Sequence, residues 1–160
     1  MQPISNLPAA CLVTLVLLVG GAWLSSLASG HGQIDSTLTQ PNHGGLHVLI
    51  SGTRNSTGNI VITVYDNADA YSRYDDEDIA AYTVVPASTD TMTIEFPGLT
   101  EGPYAVTIFH DEDSDAQFDM DGDYPVEGYG TSGARGAYDE PPFDRAAALP
   151  GAVLINMFYL

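Results

Sequence analysis

Between His110 and Glu127 the chain gathers an unusual density of side chains with chemistry to offer. Asp111, Glu112, Asp113, Asp115, Asp119, Asp121, Asp123 and Glu127 put eight carboxylates within 17 positions that hold no Lys or Arg. Carboxylates about 6 Å apart at an effective dielectric near 20 repel by roughly 2–3 kcal/mol per pair, so a folded loop of this kind needs a counter-ion or must splay into water. Hard oxygen donors in surplus select Ca²⁺, which takes roughly 6–8 of them in flexible geometry. The alternation Asp111, Asp113, Asp115 lets a tight turn direct successive carboxylates at one ion. Against the EF-hand loop, these three and Asp119 fall on ligand positions, and Gln117 falls where a backbone carbonyl suffices. Ala116 stands where that loop has its turn glycine, and Gly122 where it has its bidentate glutamate. The entering segment also reads as a strand, so this is not an EF-hand. The expectation is a calcium loop between strands, with ligands drawn from Asp111, Asp113, Asp115, Asp119, Asp121, Asp123 and Glu127. The competing reading is a solvated acidic loop, because residues 31–110 also hold ten acids against two arginines. Catalytic carboxylates, as in a hydrolase, are a third.

Other constellations carry less. His31, His43, His47 and His110 are the four histidines. If processing exposed His31 as a new N-terminus, its amine and imidazole with one further histidine would make a copper site of histidine-brace type, and an oxidase. None of the longer motifs of such enzymes is present. His110 shares parity with Tyr104, Val106 and Ile108, which predicts a hydrogen-bonded histidine at a strand end. Gly128 to Gly133 reads as a glycine-rich turn using positive φ to fold back on the acidic loop. It lacks the Gly-x-Ser-x-Gly elbow that would make Ser132 a nucleophile with His110. Glu127 is expected to pair with Arg135, the nearest base in sequence. The expected catalytic set is therefore empty, and the protein reads as a module that binds or supports rather than an enzyme.

The bulk composition narrows the partners. The chain has 160 residues, 21 Asp+Glu and 4 Lys+Arg, for a net charge of −17 with His neutral, and no lysine. Nucleic acid and anionic membrane surfaces need clustered Lys and Arg, whereas Arg54, Arg73, Arg135 and Arg145 are scattered. Without lysine there is no Schiff-base residue and no Walker-type phosphate loop. The single cysteine, Cys11, excludes an intramolecular disulfide. The first 34 residues carry no charged side chain, and Ala9 to Leu24 is almost wholly apolar, followed by the small residues around Ala28 and Gly30. That pattern predicts a secretory signal over residues 1–30; an uncleaved anchor over 9–28 is the rival, being long enough to span. Either way the rest of the chain is expected in the periplasm or outside the cell, as a monomer, with any partner an unidentified envelope or cell-surface protein.

The elements that must hold the acidic loop are short strands. After a flexible lead over 31–45, apolar residues alternate with period two: Leu46, Val48 and Ile50, then Ile60, Ile62 and Val64, with Asn55 to Asn59 as turn chemistry between them. The pair predicts a hairpin. Tyr82 and Val84, ended by Pro86, mark a third strand; Met92, Ile94 and Phe96 a fourth; Tyr104, Val106 and Ile108 a fifth; Val153 to Tyr159 a last one. Only Asp66–Ile79 and Pro142–Leu149 have room for a helical turn or two. Six or seven such strands over 46–160 predict an all-β antiparallel sandwich, with a small barrel as alternative.

Several motifs together resemble a known family. Tyr104-Ala105-Val106, His110-Asp111-Glu112, Asp119, then Pro125-Val126-Glu127-Gly128-Tyr129-Gly130 and Ser132 resemble the bacterial exported family designated domain of unknown function 2141, over roughly Leu46 to the end. The resemblance implies an exported β-sandwich of immunoglobulin or transthyretin-like type and carries no activity with it. This chain departs from the family pattern in Asp113 and Asp115, where asparagine is usual, in Ala116, where glycine is usual, and in Thr131-Ser132-Gly133. The extra aspartates add charge for a cation; the alanine puts the tight turn in question.

Overall fold

A computed structural model describes residues 44–160; the expected export segment 1–30 and nearly all of the 31–45 lead lie outside them. Nine strands and two short helices follow in the order β1 Leu46–Ser51, β2 Asn59–Tyr65, α1 Ala68–Arg73, β3 Ala81–Pro86, β4 Met92–Phe96, β5 Ala105–Asp111, β6 Met120–Asp121, β7 Tyr124–Pro125, β8 Gly128–Thr131, α2 Phe143–Ala146 and β9 Gly151–Asn156. One sheet has the order β4-β1-β9, a second β3-β2-β5-β8, and β6-β7 form a small ribbon. The expected all-β sandwich is what forms. Every pairing in it is antiparallel except β1 with β9, where Val48 lies beside Val153 and Ile50 beside Ile155 in parallel register.

The expected β1–β2 hairpin does not form. β1 pairs with β4 and β9, whereas β2 pairs with β3 and β5. Each of the two strands has one apolar stripe, and a hairpin would set both stripes on the same face of one sheet. Placed in opposite sheets, Leu46, Val48 and Ile50 meet Ile60, Ile62 and Val64 across the core, all six fully buried. Full burial of each such side chain is worth about 1.5–3 kcal/mol, which outweighs the turn chemistry of the connection 52–58. Val106 and Ile108 from β5 and Val153, Ile155 and Met157 from the β9 end complete that core.

A smaller cluster of Tyr65, Ala70, Tyr71, Ala105 and Ala146 packs α1 and α2 against one end of the second sheet. Asn67 caps α1 by accepting the Ala70 N–H at 2.8 Å, and the Tyr71 hydroxyl donates to the Pro141 carbonyl at 2.7 Å. The two short helices therefore occupy the segments with room for them, and no described helix is long and apolar enough to cross a membrane.

Gly128–Gly133 does not form the expected positive-φ turn. Gly128 to Thr131 is strand β8, with Gly128 opposite His110 and Gly130 opposite Ile108. Its glycines serve close approach rather than positive φ. A Cβ on Gly128 would meet the Tyr159 ring at 2.2 Å, and one on Gly130 the Asn156 carbonyl oxygen at 2.5 Å. Only Gly133, beyond the strand, takes a left-handed φ of 74°.

Candidate metal centre in the acidic loop

Strand β5 delivers His110 and Asp111 to one end of the second sheet, the β6–β7 ribbon folds the loop back, and Glu127 leads into β8. Asp111 is 1% exposed. Its Oδ1 accepts the Asp115 N–H and its Oδ2 the Ala116 N–H, both at 3.1 Å, so the carboxylate is the post around which the loop winds. Glu127 is 4% exposed and closes the far side: its Oε1 accepts the Glu112 N–H at 3.0 Å and its Oε2 the Asp119 N–H at 3.2 Å. Further on, Asp113 accepts the Asp115 N–H at 3.2 Å, and Asp115 accepts both the backbone and the side-chain N–H of Gln117, at 2.8 and 2.9 Å. Ser114 and Ala116 sit in the left-handed region, at φ 65° and 62°. The sharp turn therefore survives the replacement of glycine by Ala116.

This winding draws two groups of carboxylates together. Asp111, Asp113 and Asp115 each offer an oxygen within 4.8 Å of the others, and so do Asp113, Asp119 and Glu127. Oxygens that share one Ca²⁺ at about 2.3–2.6 Å lie no more than about 5 Å apart, so both groups have calcium spacing. Asp113 belongs to both. Of the seven expected ligands these are five; Asp121 on β6 and Asp123 in the β6–β7 turn belong to neither group.

The electrostatics separate the carboxylates by role. Glu112 accepts from the Arg54 Nε at 2.9 Å, is also gripped by the other arm of that guanidinium, and takes the Asn55 side-chain N–H at 2.6 Å. The Arg54 bonds hold it down at a pKa of about 2. It is therefore spoken for and points away from a cation role. Burial pushes the Glu127 carboxyl up, Asp111 and Asp119 add to that, and its two backbone N–H donors oppose it. Glu127 does not pair with Arg135. Its oxygens are turned inward to the loop backbone, and Arg135 instead meets Asp139 through its own backbone N–H at 2.9 Å. Among the described residues neither Asp111 nor Glu127 has an ion-pair partner.

His110 is fully buried, with Nδ1 2.8 Å from the Tyr159 hydroxyl and Nε2 2.7 Å from the Thr57 carbonyl. A carbonyl only accepts, so Nε2 carries a hydrogen. Tyr159 in turn accepts the Arg54 N–H at 3.0 Å and lies beneath its guanidinium, 4.5 Å from the ring centre. The expected strand-end hydrogen bond is thus present, and it ties the loop 52–58 and the C-terminal segment to β5. Ser132 is 1% exposed, its Oγ accepts the Val106 N–H at 2.9 Å, and it makes no contact with His110. Sequence reasoning missed Arg54 and Tyr159, which lie 58 and 47 residues from Glu112 and carry no local motif.

The family profile of the uncharacterized protein conserved in bacteria DUF2141 matches residues 48–151. No curated protein and no solved structure matches the chain.

Proposed function

The chain belongs to the DUF2141 family of uncharacterized proteins conserved in bacteria, and on that premise we propose that it is an exported binding or structural module whose β5–β8 loop holds Ca²⁺. The observation that carries this reading is the pair of buried, unpaired carboxylates, Asp111 and Glu127, linked through Asp113 into two groups at calcium spacing. Each accepts two backbone N–H bonds, yet neither is in an ion pair among the described residues, and a divalent cation would neutralise both. Backbone N–H bonds to the same carboxylates fix the loop before the ion arrives, which keeps the ordering cost of binding low. The apolar, uncharged stretch over residues 9–24 supports export. The test is thermal unfolding of the full chain in calcium and in chelator. An ion that binds only the folded state, at about 100 times its Kd, adds about 2.7 kcal/mol and raises the midpoint by roughly 10 °C. The Asp113→Ala plus Asp115→Ala chain should lose that shift. Equal midpoints for the wild-type chain in calcium and chelator would end the calcium reading.

A further inference from the structure

The outer face of the second sheet is not flat. Its floor is the outward stripe of β2, β5 and β8, where Thr63 lies beside Thr107 and Phe109 beside Tyr129. One wall is the end of α1 with the segment that follows it, another the acidic loop with its ribbon, and a third the connection 137–140; together they enclose a groove of about 920 Å³. That size suits a small molecule. Six of the nine tyrosines line it: Tyr65, Tyr74, Tyr82, Tyr124, Tyr129 and Tyr138. Four of these are between 50% and 79% exposed, an aromatic surface that a monomer does not ordinarily leave in water.

The charge in the groove has one sign. Asp76, Asp123, Asp139 and Glu140 line it, and among the described residues no Arg, Lys or His does. Asp139 is neutralised by Arg145, whereas the other three have no ion-pair partner among the described residues. Burial, and after it Asp76 beside Tyr65 and Glu140 beside Tyr129, push these two hydroxyls up. Electron-rich rings beside unpaired carboxylates are what an ammonium group prefers to water.

We infer that this groove binds a small organic cation, an ammonium carried on an apolar body that lies along the tyrosines. A neutral oligosaccharide would use the rings but not the field, and an anion is excluded by it. None of the five carboxylates at calcium spacing lines the groove, but Ala116 and Phe118 of the same loop do, so calcium is kept saturating throughout the test.

Binding to the full chain is read by NMR with three probes: phenyltrimethylammonium, its neutral isostere tert-butylbenzene, and cellotetraose. Phenyltrimethylammonium should move the ring resonances of Tyr82, Tyr124 and Tyr138 and bind about tenfold more tightly than the isostere. Because Tyr82 and Tyr124 are exposed, the Tyr82→Ser plus Tyr124→Ser chain should fold as before and bind several-fold more weakly. Asp76→Asn plus Glu140→Gln should erase the preference for the cation while leaving the isostere unaffected. Equal binding of cation and isostere, tighter binding of cellotetraose, or no response of the groove tyrosines to the cation would each overturn the inference.

Discussion

Ala116 holds the left-handed conformation at φ 62° because the Asp111 carboxylate captures its N–H and that of Asp115 on adjacent oxygens. An L-residue there carries roughly 1–2 kcal/mol of strain that glycine does not. Ala116→Gly should therefore stabilise the domain by about 1 kcal/mol in urea unfolding, part of the gain being returned as unfolded-chain entropy. Ser132 gives the opposite expectation. Its hydroxyl is the acceptor for the buried Val106 N–H, so Ser132→Ala should cost about 1–3 kcal/mol by the same measurement. At this scale the sequence was informative where contacts are local: five of the seven carboxylates it singles out, three of them from the alternating run 111–115, lie at ligand spacing from one another. It was silent on Arg54 and Tyr159, whose partners are set by topology alone.

The elements most exposed to error are those whose pairing depends on what lies across the core. Period-two alternation located β1, β2, β3, β4 and β5 to within a residue or two, yet it cannot tell a hairpin from two strands in facing sheets, since both need the same stripe. Strand β8 was hidden because Gly128 and Gly130 have no side chains to alternate, and their absence of Cβ is what the Tyr159 ring and the Asn156 carbonyl require. Gly130→Ala, meeting backbone, and Gly128→Ala, meeting a ring held by His110 and Arg54, should each destabilise by about 2–3 kcal/mol, read from denaturant midpoints. The segment joining β8 to α2 is stapled by Arg145 to Asp139, which holds that carboxyl at about 2 against an ordinary 3.8. A depressed carboxyl stabilises above its unfolded value and loses that contribution as pH falls through its folded one. Unfolding midpoints should accordingly drop between about pH 4 and pH 2, where Glu112, held down by Arg54, loses its contribution as well, so Asp139→Asn should flatten that part of the profile only in part.

For the molecule as a whole, a charge of −17 means that the compact state repels itself. Added NaCl screens that repulsion over a Debye length that shrinks to about 3 Å at 1 M, so the thermal midpoint should climb smoothly with salt. A specific ion behaves differently, acting at far lower concentration and saturating. The acid excess thus has two parts, a general one spread over the surface and a local one in the β5–β8 loop, and among the described residues only the second brings carboxylates to calcium spacing. The measurement that tests this most directly is a crystal structure of the protein grown with calcium, with anomalous differences recorded. Calcium in the loop should give a peak coordinated by Asp113 together with oxygens of Asp111 and Asp115, or of Asp119 and Glu127. Well-ordered carboxylates there with only water between them, at millimolar calcium, would contradict it.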